Sequence, residues 1–133
     1  MKKVFLGGTC NNSGWRDILI PMLSINYFNP VVEDWTPACQ EEEIRQRKEC
    51  DYCLYIITPE MTGVYSIAEV VDDSNKQPDK TIFCVSTSIN GETFSKGKLK
   101  SLDAVGNLVL GNGGKYFHSL SAVALYLNKD KNK

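Results

Sequence analysis

Two uninterrupted apolar runs, Tyr-Cys-Leu-Tyr-Ile-Ile at residues 52–57 and Thr-Ile-Phe-Cys-Val at residues 81–85, constrain this chain most. A strand with one wet face alternates apolar and polar side chains. Neither run does, so both faces of these strands must be covered, as they are in a parallel sheet flanked by helices. The segments between the runs carry helical spacing, and the alternation of strand and helix points the same way. The expected fold is α/β: a three-layer α/β/α arrangement of about five mostly parallel strands, flavodoxin-like or Rossmann-like. At 133 residues the chain suits one domain spanning residues 1–133, large enough for a core and too small for two.

Along the chain, residues 3–6 read as a buried strand entering the tight loop Gly7-Gly8-Thr9. From Trp15, the residues Ile18, Leu19, Met22 and Leu23 recur at helical spacing, with Pro21 expected to kink or shorten that helix. Tyr27-Phe28 reads as a second strand leaving through Asn29-Pro30. Pro37 suits the first turn of a charged helix over residues 38–50. A helix over residues 66–75 follows the third strand, and a turn at residues 77–80 precedes the fourth. Beyond Thr87 a helix is expected at residues 94–105, a fifth strand at 107–110 and a final helix at 119–127.

Charge and cysteine content narrow the function classes. Fifteen basic and 16 acidic residues are interspersed, leaving a net charge of −1, so nothing marks a nucleic-acid partner. No apolar stretch reaches the length of a membrane span, and Met-Lys-Lys leads straight into a strand with no apolar signal segment. A cytoplasmic protein is expected. Five cysteines is an odd number, and Cys53 and Cys84 within strands read as buried reduced thiols. The Cys50-x-x-Cys53 spacing falls at a helix-to-strand junction rather than a helix N-terminus, and His118 is the only histidine. No metal and no cofactor are expected.

Three strand-end loops should gather at the carboxyl edge of such a sheet, where ligands bind. They carry Gly7, Gly8 and Thr9, then residues 29–35, then residues 58–66. Gly7-Gly8 is no dinucleotide fingerprint, but it lets a ligand or a loop approach bare backbone. Arg16 reads as a surface arginine able to grip an anion. Trp35 could stack on a planar base and Asp34 could bond ribose hydroxyls. Glu69 stands about one turn into the helix after the third strand, where a carboxylate can act as nucleophile or base. Ser66-x-x-Glu69 equally fits a capping box, with Ser66 capping the helix and Glu69 reaching back to its amide. Glu43, one of three consecutive glutamates, reads from pattern alone as a solvated charge.

Taken in order, several of these stretches resemble the nucleoside 2-deoxyribosyltransferase family, in particular its divergent nucleoside 2-deoxyribosyltransferase-like branch. Val4-Phe5-Leu6-Gly7-Gly8 followed by Trp15-Arg16 is similar to the branch's strand, glycine loop and W[RQ] opening. Tyr27-Phe28-Asn29-Pro30 is similar to the family's strand ending in Asn-Pro, and Cys50-Asp51 to its Ala-Asp junction. Tyr65-Ser66-Ile67-Ala68-Glu69 stands where the family has a hydroxyl or small residue, two variable positions and a nucleophilic glutamate. The resemblance covers roughly residues 3–86. It implies Glu69 as the nucleophile at C1′ of a deoxynucleoside or deoxynucleotide. It implies Glu43, eight positions before Asp51, as the acid at the base. Gly7, Gly8, Trp15, Asn29, Asp34, Thr62, Gly63, Tyr65 and Ser66 would bind the substrate. Many members have Asp or Ser where this chain has Gly63, and many have Gly shortly after the nucleophile, where it has Val70-Val71. The resemblance also implies a homo-oligomer in which a neighbouring copy closes the site.

The expected activity is N-glycosidic bond chemistry through a covalent glycosyl-glutamate, either transfer of 2-deoxyribose to a base or hydrolysis. The alternative is a catalytically impaired module of the same fold that binds or sequesters a nucleotide. A flavodoxin-like FMN carrier would need a hydroxyl-rich phosphate loop, which residues 9–13 offer in part.

Overall fold

The computed structural model describes residues 1–10, 14–32, 34, 36–89 and 91–129. In chain order the elements are β1 (Lys3–Gly8), α1 (Trp15–Leu19), β2 (Asn26–Phe28), α2 (Pro37–Glu49), β3 (Tyr52–Ile57), α3 (Tyr65–Lys76), β4 (Thr81–Val85), β5 (Ser88–Ile89), β6 (Glu92–Thr93), α4 (Lys96–Gly111), β7 (Lys115–Phe117) and α5 (Leu120–Asn128). Five strands form one parallel sheet in the order β2-β1-β3-β4-β7, and β5 and β6 pair as a separate antiparallel hairpin. The order reverses at β1, the switch point of a flavodoxin-like sheet.

Both faces of the sheet are covered, as the unbroken apolar runs require. On one face Val4, Leu6, Leu54, Ile56, Ile82 and Cys84 pack with Trp15 and Leu19 of α1 and with Leu120, Val123, Ala124 and Leu127 of α5. On the other, Phe5, Cys53, Tyr55, Ile57, Phe83 and Val85 pack with Val70 of α3 and with Leu102 and Val109 of α4. The apolar residues of α5 therefore cover the sheet. Among them only the outward-turned Leu125 is largely exposed, at 68%. Cys53 and Cys84 are buried free thiols, and burial pushes each up to about 12. No helix among the described residues is long and apolar enough to cross a membrane.

Most elements lie where periodicity put them. Pro21 ends α1 by converting the chain to a 3-10 turn at residues 20–22, because it has no amide to continue the α-helical ladder. Thr36 caps α2 by accepting from the Cys39 amide at 3.3 Å, with Pro37 in the first turn.

The C-terminal third differs. Residues 107–110, expected as a strand, belong to the continuous α4. The run Asn-Leu-Val-Leu is strand-like in isolation, but Leu102, Gly106 and Val109 share one buried helical face, and tertiary packing overrides local preference. Gly106 lies under the Tyr116 ring, where any Cβ would clash. The helix ends at Gly111, Gly113 with φ +104° turns the chain back, and the fifth strand follows at residues 115–117. Tyr116 there stacks on Phe83 with ring centroids 5.7 Å apart.

The two central strands meet closely at the carboxyl end of β1. Gly7 pairs with Tyr55 and Gly8 with Ile56. A Cβ on Gly7 would press the Tyr55 ring at 2.8 Å, and one on Gly8 would collide with the Ile56 backbone. Gly8 also has φ +119°, which L side chains rarely adopt. Gly8→Ala is therefore expected to cost on the order of 3 kcal/mol or more, through strain and backbone displacement together. Urea denaturation of G8A measures that loss, and wild-type stability would contradict the close approach.

Candidate functional site

The loop leaving β1 is pinned by the end of β3, the residue just beyond it and α1. The Thr9 amide donates to the Ile56 carbonyl at 2.9 Å, and the Thr58 amide donates to Thr9 Oγ1 at 3.0 Å. Trp15 Nε1 donates to the Thr9 carbonyl at 2.8 Å. Arg16, read from sequence as a surface residue, is 5% exposed. Its Nε and Nη2 donate to the Leu6 carbonyl at 3.2 and 2.9 Å, and Nη1 donates to the Thr9 carbonyl at 2.8 Å. The guanidinium also lies 4.2 Å from the Trp15 ring centroid. Burial lowers the Arg16 pKa from its usual value. Its planar fork serves to hold carbonyls and fix the curvature of the loop.

Above this loop α3 begins. Val64, not Ser66, is the residue before the first helical turn, and no side chain caps it. Ser66 lies inside the helix, so the capping box expected as one reading of Ser66-x-x-Glu69 is not formed. Glu69 instead turns into a cleft of about 330 Å³, lined by Gly8, Thr9, Cys10, Glu43, Met61, Gly63, Tyr65, Ser66 and Glu69 itself. That volume suits a small ligand. A narrower recess of about 70 Å³ adjoins it, where Gly7, Arg16 and Pro30 join Glu43, Ser66 and Glu69.

Gly7, Gly8, Gly63, Tyr65, Ser66, Glu43 and Glu69 are thus brought together from β1, α2 and the start of α3. Trp15 is fully buried beneath the loop and shapes the cleft from below. Asn29 and Thr62 are exposed and line neither cavity. The Asn29 side chain accepts from the Val31 amide at 3.1 Å, closing its own turn. Asp34 is exposed, and Trp35 lies outside the described residues.

Two carboxylates on adjacent helices meet at this cleft with shifted acidity. Burial raises the Glu69 pKa, Arg47 opposes the rise, and Glu43 and Asp73 add to it. Burial likewise raises Glu43, again opposed by Arg47. Arg47 Nη1 stands 3.6 Å from Glu69 Oε2, with both side chains 18% exposed. Sequence reading passed over Arg47, because one more charge in an alternating run carries no sign of its depth. Cys10, an exposed thiol at the cleft wall, was missed for the same reason: a loop cysteine has no periodicity.

A second cleft of about 340 Å³ lies between α4 and β7, lined among others by Lys96, Lys100, Tyr116 and His118. Its one carboxylate, Asp103, accepts from the Tyr116 hydroxyl at 2.9 Å. Paired carboxylates occur in the first cleft, which is the candidate active site.

The sequence model of a family described as nucleoside 2-deoxyribosyltransferase like matches residues 1–89, which include β1 to β4 and every residue lining the first cleft. No curated protein and no solved structure matches the chain.

The raised Glu69 pKa has a consequence for stability that needs no substrate. Ionising a carboxyl whose folded-state pKa lies above its unfolded value costs stability. The cost is absent below about pH 4, the unfolded range, and complete above the folded value. Glu69→Gln is therefore expected to raise the melting temperature at about pH 7.5 and to leave it unchanged at about pH 3.5. Calorimetric scans across that range check it. A variant less stable than wild type at neutral pH would contradict the burial cost.

Proposed function

The chain belongs to the nucleoside 2-deoxyribosyltransferase-like family, and from that premise we propose that it cleaves the N-glycosidic bond of deoxynucleosides or deoxynucleotides through a glycosyl ester on Glu69. The observation that carries this reading is the pair Glu69 and Glu43, facing one cleft from α3 and α2 at the carboxyl edge of the parallel sheet.

The chemistry follows from what two carboxyls in different protonation states can do. Ionised Glu69 attacks C1′ and forms the C1′–O bond as the C1′–N bond breaks. The electron pair leaves with the base, and protonated Glu43 delivers its proton to the base nitrogen. A water or a second base then attacks C1′ and releases Glu69, with Glu43 taking the incoming proton. Two displacements return the original configuration at C1′. Gly8 and Gly63 let the sugar approach backbone, and the exposed Tyr65 ring at the cleft mouth offers a face for the base.

A second reading, a module that binds such a ligand without turnover, is favoured by Gly63, which brings no side chain to the cleft where many family members have Asp or Ser. Calorimetry with deoxynucleosides and deoxynucleotides separates the two. Binding without base release from any of them selects the binding module.

Glu69→Ala is expected to lower base release or exchange on the order of a thousandfold or more, as for a lost nucleophile. Chromatography of deoxynucleoside mixtures, with and without an acceptor base, measures it, and activity within a few-fold of wild type would contradict the assignment. A homo-oligomer is part of the same proposal. Val64 and Tyr65, 69% and 72% exposed beside the cleft, suit a neighbouring copy. Light scattering is expected to give a mass of at least two chains at micromolar concentration, since a stable interface buries about 1,000 Å² or more. A monomer mass would contradict it.

A further inference from the structure

Arg47 reaches across from α2 to α3, and its position is over-determined. Nη2 donates to Asp73 Oδ1 at 2.8 Å and lies 3.7 Å from Asp72 Oδ2. The other oxygen of Asp73 accepts from the Tyr55 hydroxyl at 2.5 Å. Tyr55 is fully buried and Asp73 is 2% exposed. The Arg47 carbonyl accepts from Cys53 Sγ at 3.1 Å and from Gln77 Nε2 at 3.3 Å. With β3 fixing Tyr55, Tyr55 fixing Asp73 and Asp73 fixing Nη2, the remaining arm of the guanidinium is presented to Glu69. At 3.6 Å that contact is an ion pair without a hydrogen bond. It leaves the carboxylate free to move toward a sugar.

Glu43 stands one turn before Arg47 on the same helix, and among the described residues it forms no ion pair with it. The cation therefore sits unequally between the two cleft carboxyls. We infer that Arg47, anchored by Asp73 and Tyr55, is the positioning residue that keeps the proton of the carboxyl pair on Glu43 and off Glu69. This rests on the reading of Glu69 as nucleophile and Glu43 as acid, and it supplies what that reading lacks, a reason for the division of labour.

The charges around Glu69 set what Arg47 has to overcome. Facing Glu69 are Glu43 and Arg47 from α2, Asp72 and Asp73 from α3, and Arg16 and Cys10 across the recess, with Arg16 committed to carbonyls. Burial works against the Arg47 charge, but the Asp73 hydrogen bond and the surrounding negative groups outweigh it, so the guanidinium is held charged. Burial favours a proton on each cleft carboxyl and Arg47 opposes it at both, while ionised Glu43 and Asp73 raise Glu69 further, so Glu69 is the carboxyl that would hold the proton without the adjacent guanidinium. Two such groups share protons as a coupled pair. The nearer cation decides which one keeps the last. During the reaction the negative charge that Glu69 gives up on forming the ester reappears on Glu43 as it delivers its proton. The pair's net charge thus stays constant beside a fixed Arg47.

The test reads protonation directly in the substrate-free protein, by carbon NMR of the glutamate side-chain carboxyls against pH, with E43Q and E69Q providing the assignments. In wild type the Glu69 signal is expected to titrate at lower pH than Glu43. Arg47→Gln is expected to move Glu69 upward by about one pH unit or more, the usual effect of losing an adjacent cation, and to move Glu43 less. Arg47→Lys, which keeps the charge, is expected to retain the wild-type order. Because R47Q strands a buried carboxylate, R47Q/D73N removes both members of the pair; compared with D73N, which takes away the Asp73 contribution alone, it is expected to reproduce the Glu69 shift in a folded protein. A Glu43 that ionises first in wild type, or a Glu69 titration unmoved in folded R47Q or R47Q/D73N, overturns the inference. Absence of base release by wild type would instead sink the nucleophile reading and leave these titrations as they are.

Discussion

The close approach of β1 and β3 at Gly7 and Gly8 is the constraint on which the rest depends. Two residues without side chains let Tyr55 and Ile56 pack flush against the end of β1. That contact places the turn of Thr9 over the end of β3, where the Thr9 amide and hydroxyl bond to Ile56 and Thr58. The same turn leaves the Leu6 and Thr9 carbonyls pointing at α1, and the buried Arg16 satisfies both. Buried carbonyls without such donors would each cost about 1–3 kcal/mol, so the Trp15-Arg16 pair and the glycine loop form one structural unit. The cleft is what remains between that unit and the start of α3.

Tyr55 links this constraint to the chemistry. Its ring fills the space opposite Gly7, and its hydroxyl, buried with it, must find an acceptor. Asp73 provides one and is itself held by Arg47. A buried ion pair of this kind adds little net stability, because desolvation offsets attraction. Its value lies in geometry: a strand residue of the core determines where a cation sits beside Glu69. The helices carrying Glu43 and Glu69 are thereby related through the sheet as well as through the cleft.

The sheet was legible in the sequence because its signal is redundant. Residues 52–57 and 82–85 form unbroken hydrophobic runs, as strands of a parallel sheet covered on both faces do. The final strand was not, since Leu108, Val109 and Leu110 look more strand-like than Lys115-Tyr116-Phe117 until Gly106 is seen to lie under Tyr116. In the site, Glu69 was legible from its place after β3, and Glu43 only through family resemblance. Arg47, Tyr55 and Asp73 were not legible. Each belongs to an element whose pattern accounts for it, a charged helix, an apolar strand and an amphipathic helix, and only their juxtaposition gives them a role. Arg16 was misread because an arginine's default is the surface, and nothing local reveals that two carbonyls await it.

The central claim is that Glu69 carries the sugar during turnover. Mass analysis of peptides from protein quenched in acid while turning over a deoxynucleoside tests it most directly. The account predicts the mass of one deoxyribosyl group added to the peptide containing Glu69, and none in E69Q. Base release by wild type with no added mass on that peptide, or with the sugar on another residue, would contradict it.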